Sequence, residues 1–396
     1  MANPATSNAF LAGSDFETRL VEWRHLLHSS PEFGFDEVIT SNFVAAKLES
    51  FGVEVIRGMG NTGVVGILRK GNSEKSIGLR ADMDALKIHE KNVFSYRSKN
   101  DGLMHACGHD GHTTMLLGAA EYLSLSCDFS GLVYFIFQPA EEHGKGARAM
   151  IDDGLFDRFN IDSVYGLHNL PGLSAGEFAI RPGPIMASES SFHIQVIGKG
   201  GHAALPYMTV DAMLVAAQIV VALQSIVSRN LNVLSEPAVI SVTEFVTDGT
   251  VNVLPSHISL KGDCRCFTDE LIEKLASTME RIVAGICDTA GASYEFHFET
   301  VFPATINHEL ETDIAIRAAE EVFGRDQVNG HCDRYTISED FANMLTVRPG
   351  SYGLIGNGGE SGSGCALHNP SYDFNDQILL KGVQYWVKLV ENQLSA

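Results

Sequence analysis

Five side chains of the kinds that bind transition metals stand in four short segments of this sequence. The segment HACGHDGH at 105–112 contains Cys107 and His109, one residue apart. In a loop or extended segment this spacing lets a thiolate and an imidazole project to the same side, where they could share one ion or flank two. Taken alone, the cluster is equally typical of polar loop residues near a helix start.

A pair of adjacent carboxylates forms the second candidate. The run GLVYFIFQ predicts a strand that ends at Pro139 and is followed at once by Glu141 and Glu142. Neighbouring carboxylates repel unless something cationic lies between them. With a metal present, one can bind the ion while the other acts as a base on metal-bound water. The alternative is an acidic helix start that the helix dipole stabilises.

Two single histidines complete the set: His168 follows the apolar run SVYGL, and His368 precedes the last predicted helix. Either histidine alone would more often be a hydrogen-bonded loop residue than a ligand. Together the candidates exceed what one tetrahedral catalytic site takes, and fit two ions that share a bridging ligand, for which the Cys107 thiolate is our candidate. The predicted metal ligands are Cys107, His109, Glu142, His168 and His368.

Strand-like and helix-like segments alternate on both sides of a different central region. At 396 residues the chain exceeds the roughly 250–300 residues that one core serves. The alternation predicts an α/β domain with a mixed, mostly parallel sheet covered by helices. The central region instead reads as a βαββαβ pattern of an inserted α+β domain. We predict an α/β domain from 1–187 and 303–396, and a smaller inserted domain from 188–302.

Composition and charge restrict the class of protein. The formal net charge of −21 disfavours binding to nucleic acid or anionic lipid, but not to a small anionic substrate. The most apolar run, from Ala212, is interrupted by Gln218 and Gln224, and no signal-peptide pattern is found. Seven cysteines without paired spacing are expected to be free thiols. These features predict a soluble, cytoplasmic protein.

Six ordered motifs carry a resemblance to a known family. The sequence resembles the hippurate hydrolase and N-acyl-amino-acid amidohydrolase branch of the co-catalytic metallopeptidases, from the first predicted helix to the last. The motifs are GLRADMDAL, HACGHDGHTTMLLGAA, QPAEEHGKGARAMIDDGLF, GLHNLPG, GKGGHAALP and HNPSYDFND.

The resemblance implies a role for each matching residue. The five predicted ligands would hold two divalent ions, manganese or zinc, and Glu141 would be the general base. His202 would polarise the scissile carbonyl, in its own subunit or in the partner of a homodimer. The resemblance also implies that 1–187 and 303–396 form the catalytic domain and that the inserted domain, 188–302, is a lid domain through which the homodimer forms. Asn252 and Arg265 would bind the α-carboxylate of an N-acyl amino acid.

One motif departs from the wider family, whose members carry a His-x-Asp pair where this chain has Arg80-Ala81-Asp82. His109 is expected to compensate, and Asp82, Asp110 and Glu339 are candidates for orienting the ligands. Three alternatives stay open: a dipeptidase or N-acetyl-diaminopimelate type deacetylase of the same family, a protein with a single structural zinc, and a binding protein that has lost catalysis.

Overall fold

The computed structural model describes residues 14–126, 129–359 and 365–395. Its strands are β1 Glu54–Met59, β2 Gly63–Lys70, β3 Ser76–Asp82, β4 Gly131–Gln138, β5 Ser163–Pro171, β6 Phe178–Ala179, β7 Gly183–Met186, β8 Glu189–Ile197, β9 Gly201–His202, β10 Val239–Thr247, β11 Val253–Leu254, β12 His257–Arg265, β13 Ser293–Phe302, β14 Thr305–Asn307, β15 Val328–Asn329 and β16 Gly350–Gly358.

The helices alternate with these strands. The α-helices are α1 Ser14–His28, α2 Val38–Ser50, α3 His109–Ser126, α4 Gly146–Asp152, α5 Leu155–Arg158, α6 Ala212–Ser225, α7 Asp269–Ala290, α8 Glu309–Phe323, α9 Ala342–Val347 and α10 Leu379–Gln393. A π-helical turn, Ile226–Asn230, continues α6, and a 3₁₀ turn, Glu141–His143, follows β4.

The chain divides into two compact units. One comprises Met186–Thr305 with Arg334–Glu339 and is called the inserted unit here; the remainder is called the large unit. Each has its own apolar core. The core of the large unit includes Leu79, Phe135 and Trp386, and that of the inserted unit includes Ile194, Ile219 and Met279.

An eight-stranded sheet forms the centre of the large unit, in the order β1-β2-β4-β3-β5-β16-β6-β15. Its inner strands β4, β3, β5 and β16 are parallel to one another, whereas β1, β2 and β4 pair antiparallel. All residues of β3, β4 and β16 are buried, as expected for parallel strands covered on both faces. The predicted α/β class with a mixed, mostly parallel sheet is confirmed.

The parallel strands bring their carboxyl ends to one edge of this sheet. Asp82, the last residue of β3, is in register with Gln138, the last residue of β4. On the other side β3 pairs in parallel with β5, which carries His168. Ligands of open α/β sheets bind outside this edge, and the topology places there His168 and the pair Glu141 and Glu142 that follows β4.

The inserted unit contains a four-stranded antiparallel sheet in the order β10-β12-β8-β13, with helices α6 and α7 in its core. Along the chain its main elements follow as strand, helix, strand, strand, helix and strand. Asp211 caps α6 by accepting from the amides of Met213 and Leu214, and Thr268 caps α7.

One helical segment of the described residues, Ala212–Asn230, is long and apolar enough to cross a membrane by length and composition alone. About a third of the most apolar 18-residue stretch of this segment is buried. A single helix of this kind is weak evidence for a membrane span, because core helices of soluble proteins pass the same test.

Candidate metal centre

The structure brings the five predicted ligands into two adjoining groups in the large unit. One group combines His109 and His168 with Asp82 and His112, and the other combines Cys107, Glu142 and His368; within each group the ligand atoms lie within 4.8 Å of one another. The groups meet where Cys107 Sγ lies 3.4 Å from His168 Nε2 and His109 Nε2 lies 3.9 Å from Glu142 Oε1. Nitrogen, oxygen and sulfur donors therefore converge in one region.

A tight turn sets the directions of Cys107 and His109. The segment between them is not extended: Gly108 has a φ of 98°, and His109 is already the first residue of α3. A Cβ atom at position 108 would collide with the Asn169 side chain, so only glycine fits this close approach. The turn, rather than the alternation of an extended strand, places the thiol and the imidazole in the same region.

His368 reaches the site from a turn near the end of the chain. Its φ of 62° lies in the left-handed region, which is uncommon for a residue with a Cβ. Its backbone N–H donates to the Ala106 carbonyl oxygen at 2.8 Å, so the turn is fixed to the segment that carries Cys107. His368 Nε2 lies 3.4 Å from Glu142 Oε1.

The adjacent carboxylates follow β4 in the 3₁₀ turn. Glu141 is buried with 6% exposure, which contradicts the alternative of a solvated acidic helix start. The Glu142 amide donates to Asp84 Oδ2 at 3.1 Å, and the Asp340 amide donates to Glu141 Oε1 at 3.4 Å. These hydrogen bonds fix the backbone of Glu142 and the carboxylate of Glu141.

Two buried atoms of this cluster have no hydrogen-bond partner: His109 Nε2 and Glu142 Oε1. The other ring nitrogen of His109, Nδ1, lies 2.9 Å from the Asp84 carbonyl oxygen and 3.1 Å from Asp84 Oδ1. That contact fixes the ring and turns Nε2 toward Glu142, an arrangement common for metal-binding histidines. Unpartnered buried donors and acceptors need an explanation, and divalent ions held by this donor set supply one.

Burial and neighbouring charges set the protonation of the candidate ligands. Burial lowers the pKa of His168 far below its usual value, and the charge of His112 adds to this, so its imidazole is neutral as a metal ligand must be. Burial alone would raise the pKa of Glu142, but the nearby imidazoles of His368 and His109 lower it. Burial would lower the pKa of His109, yet Asp82 and Asp84 raise it to about 10. The carboxylates around His109 therefore favour a positive charge at this position.

Sequence reasoning missed the close contact of Asp82 with His112. His112 Nδ1 lies 2.6 Å from Asp82 Oδ1, and Arg80 Nη1 donates to Asp82 Oδ2 at 2.8 Å. Both side chains join the first group of ligand atoms, although each is already bonded to a neighbour. His109 and His112 are three residues apart on α3, a helical spacing that could have indicated a shared face.

Asp110 and His105 lie behind the ligands. Asp110 Oδ2 lies 2.8 Å from His28 Nδ1, and the second nitrogen of that ring, Nε2, lies 3.2 Å from Glu90 Oε1. Burial alone would raise the pKa of Asp110, but the charge of His28 holds it far below its usual range. His105 is fully buried, which lowers its pKa to about 4.

His202, Asn252 and Arg265 belong to the inserted unit, as does the buried Glu339. His202 is exposed in β9, and its Nδ1 accepts the Ala204 amide hydrogen at 3.0 Å. Asn252 precedes β11, and its carbonyl oxygen accepts from the Ala203 amide. Arg265 is half-buried; its guanidinium contacts Glu189 at 2.9 Å, Asp263 at 2.9 Å and Ser338 at 2.7 Å.

Comparison with known proteins identifies the family. Residues 78–392 match the model of Peptidase family M20/M25/M40. The chain belongs to this family. A hippurate hydrolase of Campylobacter jejuni is 41% identical to this chain, over 95% of this chain and 96% of its own length. An N-acyl-L-amino acid amidohydrolase of Geobacillus stearothermophilus is 44% identical over 74% of this chain and 80% of its own length.

Solved M20/M25/M40 structures agree with the fold. A putative aminohydrolase from methicillin-resistant Staphylococcus aureus has a TM-score of 0.90 at 32% identity and covers 96% of this chain and 97% of its own. A dinuclear metal-binding peptidase of family M20 from Bacillus subtilis has a TM-score of 0.84 at 31% identity, covering 96% and 99%. The predicted family resemblance and hydrolase class are confirmed, and the ligand cluster fits two metal ions.

Proposed function

We propose that this protein hydrolyses the amide bond of N-acyl amino acids, releasing a carboxylic acid and a free amino acid. The observation that carries the proposal is the cluster of Cys107, His109, Glu142, His168 and His368 with the buried Glu141 beside it. Relatives acting on hippurate and on N-acyl-L-amino acids support this substrate class.

The five clustered residues would hold two divalent ions, with the Cys107 thiolate between them. When bound, such ions lower the pKa of water and polarise a carbonyl group. Thiolate binding favours zinc, whereas imidazole and carboxylate also suit manganese, so we expect one of these two metals.

Glu141 would handle the proton. Its Oε2 lies 4.0 Å from His109 Nε2, so the carboxylate borders the ligand cluster without belonging to the five. In the proposed reaction Glu141 takes a proton from the attacking water and passes it to the leaving amine nitrogen, as a general base and then a general acid.

His202 would donate a hydrogen bond to the carbonyl oxygen as negative charge develops there. Because Nδ1 accepts the Ala204 amide hydrogen, the neutral ring carries its proton on Nε2. The backbone contact therefore selects the tautomer that such a donor requires.

Asn252 and Arg265 are the proposed partners of the substrate α-carboxylate. Three N–H groups of the Arg265 guanidinium are already engaged. Nη2 contacts Glu189, Nε donates to Asp263 and Nη1 donates to Ser338. Because a guanidinium has five N–H groups, two donors are left for a carboxylate.

We assign the catalytic domain to 1–187 and 303–396 and the lid to 188–302, and propose that the lid forms a homodimer. Exposed apolar side chains on α6 support an interface there: Leu214 is 58% and Val221 73% exposed. Val221 also lines a groove of about 450 Å³ together with Ala217 and Ile286. Edge strand β10 adds unpaired backbone beside exposed Val246. A cytoplasmic location stays a prediction from composition.

Metal analysis of the purified protein, followed by a substrate panel, tests the proposed function. N-acetyl and N-benzoyl amino acids are compared with dipeptides and N-acetyl-diaminopimelate, and released amine is measured. We expect two ions per chain and the fastest release from N-acyl amino acids. Faster cleavage of dipeptides would favour the dipeptidase alternative. No turnover of any amide by the two-metal protein would favour the non-catalytic alternative, and one tightly held ion a structural zinc.

A further inference from the structure

The residue before the catalytic carboxylate pair has an unusual backbone conformation. Ala140 has φ 49° and ψ 41°, in the left-handed region, and is completely buried. This conformation costs free energy for any residue with a Cβ and persists only where surrounding contacts enforce it. Because Ala140 directly precedes Glu141 and Glu142, its dihedral angles set the direction in which both carboxylates leave β4.

A buried carboxylate from a distant part of the sequence holds this residue. Glu37 Oε1 accepts the Ala140 amide hydrogen at 2.8 Å, and Glu37 Oε2 accepts the Thr62 hydroxyl at 2.5 Å. Glu37 is fully buried and occupies the N-cap position of α2, yet its side chain makes no capping hydrogen bond. An acidic side chain at an N-cap usually bonds to the first turn of its own helix, so this carboxylate serves the other segment.

The same arrangement recurs at two neighbouring amides. Asp84 Oδ2 accepts from the Glu142 amide, and Asp340 Oδ2 accepts from the Ala147 amide at 2.9 Å. Three buried carboxylates thus hold three backbone amides between residues 140 and 147. Asp84 also contacts His109, and Asp340 also accepts from Arg80. The Glu37 carboxylate accepts from Ala140 and Thr62, and neither of these is a candidate metal ligand.

We propose that Glu37 is a positioning residue that holds Ala140 in its left-handed conformation and thereby directs Glu141 and Glu142 to the metal centre. The inference rests on the roles proposed for those two carboxylates. Burial raises the pKa of Glu37 to about 7, and a carboxyl oxygen accepts the Ala140 amide in either protonation state.

Three variants separate positioning from general stability. E37A removes the acceptor. E37Q keeps an acceptor oxygen for Ala140, and the Thr62 hydroxyl can accept from the new amide group. E37A/A140G removes the acceptor but places at position 140 a residue that adopts positive φ without penalty. T62V is the matched control, because it deletes the second hydrogen bond of Glu37 and leaves the contact with Ala140.

Ion affinity of the apoprotein is measured by calorimetric titration with Mn²⁺ and with Zn²⁺, together with kcat and KM on the best substrate. E37A should weaken at least one ion about tenfold or more and lower kcat more than it raises KM, as loss of a group that orients ligands does. E37Q and T62V should stay near wild type, and E37A/A140G should recover part of the lost affinity.

Two results would overturn the inference: wild-type affinity for both ions in E37A, or E37Q as impaired as E37A. If E37A does not fold, E37D, whose shorter side chain withdraws the acceptor, is measured with the same expectation. If the wild type cleaves no amide in the panel, the proposed function fails, while the affinity measurements still test Glu37.

Discussion

His28 provides a quantitative test of the polar network behind the metal ligands. Its ring is fully buried and lies between Asp110, 2.8 Å from Nδ1, and Glu90, 3.2 Å from Nε2. Burial would lower the pKa of this imidazole, but the negative charge of Asp110 and its hydrogen bonds raise it from 6.5 to about 9. At neutral pH His28 is therefore an imidazolium in the folded protein.

The raised pKa makes stability depend on pH. Because folded His28 binds its proton more tightly than unfolded His28, its contribution is complete below pH 6.5 and is lost as pH rises through about 9. Raising the pKa from 6.5 to about 9 corresponds to about 3 kcal/mol of stabilisation in total. About 2 kcal/mol of this should disappear between pH 7 and pH 9.

Urea unfolding of the apoprotein at pH 7, 8 and 9 measures this effect. The two tryptophans, Trp23 and Trp386, are both buried in the large unit, so their fluorescence reports on the unit that contains His28. Between pH 7 and pH 9, the free energy of unfolding should fall by about 2 kcal/mol less in H28Q than in wild type. H25Q, in the same helix α1, controls for loss of an imidazole. The same pH dependence in H28Q and wild type would refute the reasoning.

Three other outcomes are expected from the site and the interface. E141Q should keep both ions by metal analysis but lower kcat about 10²–10⁴-fold, because general base catalysis is lost; substantial remaining turnover would contradict the assigned role. C107S should weaken at least one ion in a titration of the apoprotein, since serine is a poorer bridging ligand than a thiolate; unchanged affinity for both ions would argue against the bridge. V221E should place a charge in the apolar groove of α6 and shift the protein toward monomer in sedimentation velocity, and an unaltered dimer would exclude that face as the interface.

The candidate ligands could be found from the sequence because each stands in a motif with a chemical signature. Cys107 and His109 share one short segment, and Glu141 and Glu142 follow a strand whose continuous apolar run marks it as buried. Parallel strands then bring their ends to one edge, so convergence could be predicted without coordinates.

The supporting residues could not be found in this way. Glu37 and Asp84 bind backbone amides of a segment far away in the chain, and a single carboxylate in a loop has no spacing that predicts its partner.

Strand β16 was also not predicted from the sequence. Its sequence GSYGLIGNG has four glycines and only one β-branched residue, Ile355, which is unlike a typical buried strand. It nevertheless pairs along β5, and a Cβ at Gly353 would overlap Phe178.

The position of His368 along the chain has a consequence for how the protein is made. Cys107, His109, Glu142 and His168 all precede the inserted unit, whereas His368 follows it. A chain still on the ribosome with the inserted unit complete can present four of the five proposed ligands, but not the fifth. The Ala106 contact that seats His368 also forms only after this return. Final loading with metal is therefore expected to be one of the last events in the maturation of this enzyme.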